Sequence, residues 1–355
     1  LVDTQTDIPS GRGYFRGFGL GQPALLADRS VFFGTGYQGQ AGIYQASDQG
    51  LQRVANNGPS LPHGTHRFAN FGSSPILDGD RILFLGQAPQ AQLQICQAHQ
   101  AALKTLVATE RPLPTQRDYF INLSNPVAND GHIAFLGRLA AQQQKSIFKY
   151  DGEVLRLIAC QSKTDAKTSL VDLSMPAIDG SGQVAFRGRN HQCQLGLYHY
   201  AYNQLQLIAT TQTPIPRGQG AFRCFSDPLI DQGIVTFCGW GRLFQQGIYQ
   251  IGPAGIQPVV DTQTRIPDSL ETFARFYTVT VHGANLAFIA GDSHGRLGIF
   301  AELDGALLKV IEVEDKLDDK PIAGLFLGRQ ALHGRSLVFR ARFRDGSEDI
   351  FRADL

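Results

Sequence analysis

Short apolar runs alternate with clusters of turn-forming residues along this chain, and no helical period is sustained anywhere. Around Phe186 the pattern predicts four strands. Ser174–Ile178 is apolar and leads into the turn cluster Asp179-Gly180-Ser181-Gly182. Gln183–Gly188 and Leu195–Tyr200 follow as strands, and Gln204–Ala209 alternates polar with apolar residues, as an exposed outer strand does.

The same cadence recurs. Phe32, Phe84, Phe135, Phe186, Phe237, Phe288 and Phe339 each close such a run, spaced first by 52 and then by 51 residues. Tyr44, Ile95, Phe148, Tyr198, Tyr249, Phe300 and Phe351 follow them at 11 to 13 residues. Turns of the form Asp78-Gly79, Asp130-Gly131, Gln232-Gly233, His282-Gly283 and His333-Gly334 fit tight hairpins. Pro23, Pro75, Pro126, Pro176 and Pro228 open the first strand of their units, and the last two units lack the proline. A glycine, or Ala290 and Ala341 in the last two units, stands two residues beyond each phenylalanine.

Seven units of about 51 residues, four strands each, predict an all-β, seven-bladed β-propeller. Residues 1–355 then form a single domain, despite a length that otherwise suggests more. One sheet buries only one face against the next, so the ring must close to hide the phenylalanine layer. The last unit ends after its third strand, and Leu1-Val2-Asp3-Thr4 matches the end of a fourth strand. The chain thus starts mid-repeat, and its N-terminus is expected to complete the last blade as a short, weak clasp beside residues 347–355.

The cadence Pro176…Asp179-Gly180…Val184-Ala185-Phe186…Leu197-Tyr198 resembles that of bacterial propellers built from TolB-like repeats. The resemblance covers about half of each unit. It implies a fold and an extracytoplasmic setting, periplasmic or secreted, with the cytoplasm left open; it transfers no catalytic residue.

Composition adds little to the fold and narrows the chemistry. A formal net charge of +1 provides no global field for nucleic acid or acidic membranes, and basic residues are not interleaved with aromatics along a strand. No apolar stretch is long enough to span a membrane. Five cysteines lack metal-ligand spacing; four of them fall in or near predicted strands, so buried free thiols are expected, while Cys224 and Cys238 could pair if the protein is exported.

Long linkers join outer to inner strands, with near copies at Thr4–Pro9, Thr211–Pro216 and Thr262–Pro267 and divergent versions through Leu61-Pro62 and Leu113-Pro114. Their recurring Phe-x-x-Phe pairs predict a packed cap on each blade. What varies between units is charge. Arg138, Arg189, Arg242, Arg296, Arg342 and Arg344 are expected in loops after the second strands, and Arg16, Arg67, Arg223 and Arg275 in the linkers. Trp240, the sole tryptophan, stands between Gly239 and Gly241. Guanidinium groups around an aromatic at a channel mouth suit carboxylate, sulfate or phosphate. The plainer alternative pairs these arginines with carboxylates of neighbouring blades, such as Asp172 and Asp227.

No nucleophile turn or sialidase-type box is present, and His63/His66 has no placed partner for a metal. The reading is a non-enzymatic recognition or scaffolding propeller, monomeric and without cofactor or metal, binding a protein loop or an anionic small molecule or glycan. Its ligand-binding residues are Arg138, Arg189, Trp240, Arg242, Arg342, Arg16, Arg67, Arg223 and Arg275. Two rivals stand beside it: a lyase or hydrolase acting on acidic carbohydrate in the central channel, and a structural part of an envelope assembly.

Overall fold

The computed structural model of the protein describes residues 1–19, 21–58, 68–72, 74–100, 102–113, 116–141, 143–161 and 170–355. Seven antiparallel sheets stand in a ring, and no α-helix occurs among the described residues. We number the blades by their order in the chain, from blade one (Ala24–Asn56) to blade seven (Lys316–Asp354).

Blade five shows how sequence sets strand. Ile234–Trp240, Gln246–Gly252 and Gly255–Asp261 form consecutive hairpins, and Leu229–Asp231 pairs with Ile234–Thr236 on the channel side. The second strand is buried on both faces because it lies between two other blades, whereas the outer strand alternates. Proline explains a difference between blades. In blades two to five the inner strand is split, as in Cys224–Phe225 and Leu229–Asp231, since Pro228 cannot donate to the ladder. Blades six and seven lack that proline, and their inner strands run unbroken as Arg275–His282 and Lys320–His333.

The repeated phenylalanines bury themselves against the preceding blade. Phe237 packs with Phe222, Phe225 and Tyr249 on Leu195, Leu197 and Ala209 of blade four. Its ring centroid lies 5.4 Å from that of Phe225 and 5.7 Å from that of Tyr249. Each such ring contributes about 1.5–3 kcal/mol by burial. The linker pairs Phe15/Phe18, Phe222/Phe225 and Phe273/Phe276 are buried caps, as their recurrence predicts. In blades one, two, three and five they also crowd the glycine two residues beyond the strand phenylalanine: a Cβ on Gly239 would stand 2.5 Å from Phe222 Cε1, and one on Gly86 would stand 2.3 Å from Phe68 Cε1.

Two devices tie blade to blade. At the turn after the inner strand, an acceptor side chain takes the glycine amide of the next blade's turn. Asp78 does so with Gly131 (3.1 Å), Asp179 with Gly233 (2.9 Å) and His282 Nδ1 with Gly334 (3.1 Å). The ring closes where Val2–Asp3 pairs with blade seven, Val2 opposite Ile350 and Asp3 opposite Asp349. The clasp is only those two residue pairs, with Val2 buried in the seam.

Candidate functional site

The turn and linker segments at one edge of blades four and five form a groove of about 620 Å³. It gathers Arg189, Arg223 and Arg242 with Cys193, Cys224 and Thr211. Arg189 is the penultimate residue of the second strand Val184–Asn190, not a loop residue, because that strand continues pairing as far as Leu195 and Leu170. The same extension puts Arg138 and Arg342 within strands His132–Leu139 and Ser336–Phe343. Arg242 sits in the turn between Gly241 and Gln245, and Arg223 directly follows the buried cap residue Phe222.

These side chains are held without being neutralised. Arg189 donates from Nη1 to the Cys193 carbonyl at 3.0 Å, and the backbone N–H of Arg223 donates to the Trp240 carbonyl at 2.7 Å. The two carboxylates expected to quench this face are engaged elsewhere: Asp227 with Arg187 at 3.0 Å and Asp172 with Lys145 at 3.9 Å. Among the described residues, none of Arg189, Arg223 and Arg242 is in an ion pair. Beside Arg242, Leu243 and Phe244 adopt φ of 51° and 63° and are 82% and 90% exposed. Bulky residues rarely hold that left-handed conformation, and here two in succession project into solvent.

The other predicted residues are not brought to this groove. Arg16 lies over the Tyr37 ring at 4.9 Å, and Arg342 lies 5.9 Å from the Phe326 centroid. Arg138 and Arg275 are exposed on blades three and six. Trp240 is half-buried against the apolar layer shared by blades five and six. Arg67, His63, His66 and the Leu61-Pro62 linker lie outside the described residues. The cysteines also depart from expectation. All five are free; Cys96 and Cys238 are buried, and burial pushes both thiols up to about 12, but Cys193 and Cys224 are exposed. Cys224 stands opposite Trp240 in the ladder, two residues out of step with Cys238, so no disulfide joins them.

Sequence reasoning missed the channel lining. A cavity of about 710 Å³ runs between the inner strands. Counting back four residues from each turn gives one position per blade, Gln22, Ser74, Asn125, Met175, Asp227, Thr278 and Arg329, of which Gln22, Ser74, Asn125, Met175 and Arg329 line the cavity. Blade seven supplies the cation from a bulge between Leu327 and Leu332. Thr280 fixes that bulge, its Oγ1 donating to the Arg329 carbonyl (3.2 Å) and accepting from Ala331 N–H (3.1 Å). Gln330 then reaches across to blade two, exchanging hydrogen bonds with both backbone groups of Leu77 at 2.7 and 3.0 Å. The departure from proline at this position was the available signal.

One group of side chains has the donor set for a cation, Glu271, Asp292 and His294, with ligand atoms within 4.8 Å of one another. It is solvent-facing; His294 Nδ1 lies 3.2 Å from Glu271, and Asp292 Oδ1 caps its own turn by accepting from His294 and Arg296 N–H. No helix among the described residues is long and apolar enough to cross a membrane.

The architecture defines the class: a seven-bladed β-propeller whose N-terminal strand joins the last blade. The chain belongs to a family described as "Family of unknown function (DUF7453)", whose model matches residues 19–317. No curated protein matches the sequence. Among solved structures it is similar to a Mycobacterium tuberculosis puromycin-hydrolyzing peptidase, with 14% identity, 96% of this chain and 51% of that chain covered, and a TM-score of 0.56. It is also similar to a Pyrococcus horikoshii acylaminoacyl peptidase, with 11% identity, 94% and 50% covered, and a TM-score of 0.59. The chain spans about half the length of these structures, and the likeness is one of fold.

Proposed function

We propose that this propeller is a recognition module whose groove between blades four and five docks a partner protein's loop carrying a carboxylate beside an apolar side chain. The observation that carries this reading is the meeting of three unpaired guanidinium groups with the exposed Leu243–Phe244 turn. Arginine's planar fork suits bidentate capture of a carboxylate, and the adjacent turn offers the apolar contact. A rigid scaffold presenting variable loops is the usual setting for such sites. The described lining of the groove is guanidinium, thiol, hydroxyl and apolar, a set that binds anions more readily than it transfers protons. A periplasmic or secreted setting belongs to the same proposal.

The test uses an acidic–apolar peptide library immobilised on an array, with binders measured in solution. Arg189→Glu combined with Arg242→Glu abolishes capture, and Phe244→Ser weakens it. Binding also shields Cys193 and Cys224 from a thiol reagent, which labels them before Cys96 and Cys238. Unchanged capture by the double charge reversal, with the fold intact, refutes the assignment of this face.

A further inference from the structure

We infer that the central channel is a second binding site, which takes a small monocarboxylate with an apolar body and anchors it on Arg329. The site is independent of the groove.

Arg329 is the only Lys or Arg among the described residues lining the channel cavity. Its side chain is surrounded by protein, and what surface it keeps faces the cavity. Burial lowers its pKa, with the charge of Asp227 opposing, yet a guanidinium remains protonated. One of its five N–H groups is used: Nη2 donates to the Pro228 carbonyl at 2.7 Å. Asp227, whose charge acts on Arg329, is already bound through Oδ1 to Arg187 Nε (3.1 Å) and Nη2 (3.0 Å). A charge enclosed in this way is costly unless its remaining donors find acceptors.

The surroundings choose the ligand. Asp231, a carboxylate on the cavity wall, accepts from the Gly283 N–H and keeps its charge, so an incoming anion is drawn to the Arg329 side of the cavity. Gln22, Ser74 and Asn125 occupy the equivalent positions on blades one to three and present amide and hydroxyl groups at the same level as Arg329. Met175, at the equivalent position on blade four, and Leu229, Val281 and Leu327 add apolar surface, while Asn129, Gln232, His282 and His333 line the cavity toward the turns. A single guanidinium flanked by amide and hydroxyl groups, with apolar surface beside it, matches one carboxylate head on an apolar body. A multiply charged phosphate or sugar acid finds one cation where it needs several. The volume falls within the range of about 300–1,000 Å³ typical of small-molecule sites.

Met175 makes the test direct, since it is the sole methionine of the sequence and lines the cavity. Protein labelled with 13C at the methionine methyl is titrated with benzoate, with neutral benzamide as control. Benzoate is expected to shift the Met175 signal saturably and benzamide is not. Arg329→Gln weakens benzoate about tenfold or more, the loss of a charge-assisted hydrogen-bonded pair. Arg329→Lys restores part of the affinity, and the groove variant Arg189→Glu/Arg242→Glu binds as the parent does. Absence of a saturable shift in the parent protein overturns the site, as does benzoate affinity that survives Arg329→Gln or is lost in the groove variant. Because Arg329 also braces the ring, the parent titration, which needs no substitution, decides the matter if Arg329→Gln does not fold.

Discussion

Asp179 in blade four accepts the backbone N–H of Gly233 in blade five at 2.9 Å through one carboxylate oxygen. Its other oxygen closes its own turn, accepting from Ser181 N–H (3.1 Å), Ser181 Oγ (2.8 Å) and Gln183 N–H (2.9 Å). One fully buried side chain therefore folds a hairpin and joins two sheets. Asp179→Ala strands several donors away from water and is expected to cost about 2–3 kcal/mol. Denaturant unfolding measures it, and a loss below about 0.5 kcal/mol, the ordinary effect of a surface change, contradicts the latch.

Gly239→Val tests why glycine follows the strand phenylalanine. The new Cβ stands 2.5 Å from Phe222 Cε1, and the branched methyls add to the crowding, so the cap ring must leave its seat. Overpacking of this kind costs about 1–3 kcal/mol. Gly252→Ala is the control, because its nearest heavy atom is 4.0 Å away and its backbone is not left-handed. Equal melting temperatures for the two variants contradict the explanation.

The clasp carries its own pH signature through Asp349. Burial raises this carboxyl's pKa above the ordinary aspartate value, with Lys320 at 3.8 Å opposing. The folded protein therefore holds a proton that the unfolded chain releases. Asp349's contribution is full below its unfolded pKa and declines as pH rises toward its raised folded pKa. Asp3, Asp151 and Asp354 are held low by hydrogen bonds and act with the opposite sign, so the readout is a difference. Stability of the parent relative to Asp349→Asn should fall as pH rises from the ordinary aspartate pKa through the raised folded one. A difference that is flat or rises over that interval contradicts the assignment.

The fold was legible because its determinants repeat. Phe186 recurs in all seven units, and Gly188 and Asp179 have counterparts in most of them, so seven imperfect copies reveal what one copy hides. Even the proline lost from blades six and seven translated into an unbroken strand. The site was less legible for the same reason. Arg189 and Arg242 stood out as departures from the repeat, but spacing alone did not show that Arg223 joins them while Arg138 and Arg275 stay apart. Nor did it show that Asp227 was committed to Arg187. Arg329 escaped notice because it occupies a place that proline-bearing units fill with Gln, Ser, Asn, Met or Asp, and only the ring geometry puts Gln22, Ser74, Asn125, Met175 and Arg329 around one space.

That single variable place per blade has a consequence for how such a protein diversifies. Phenylalanine, glycine and the turn acceptor carry the architecture, whereas the place four residues before each turn differs in every blade and lines the cavity in five of them. Those five residues can change one at a time, like tumblers in a lock, and each change retunes what the bore admits.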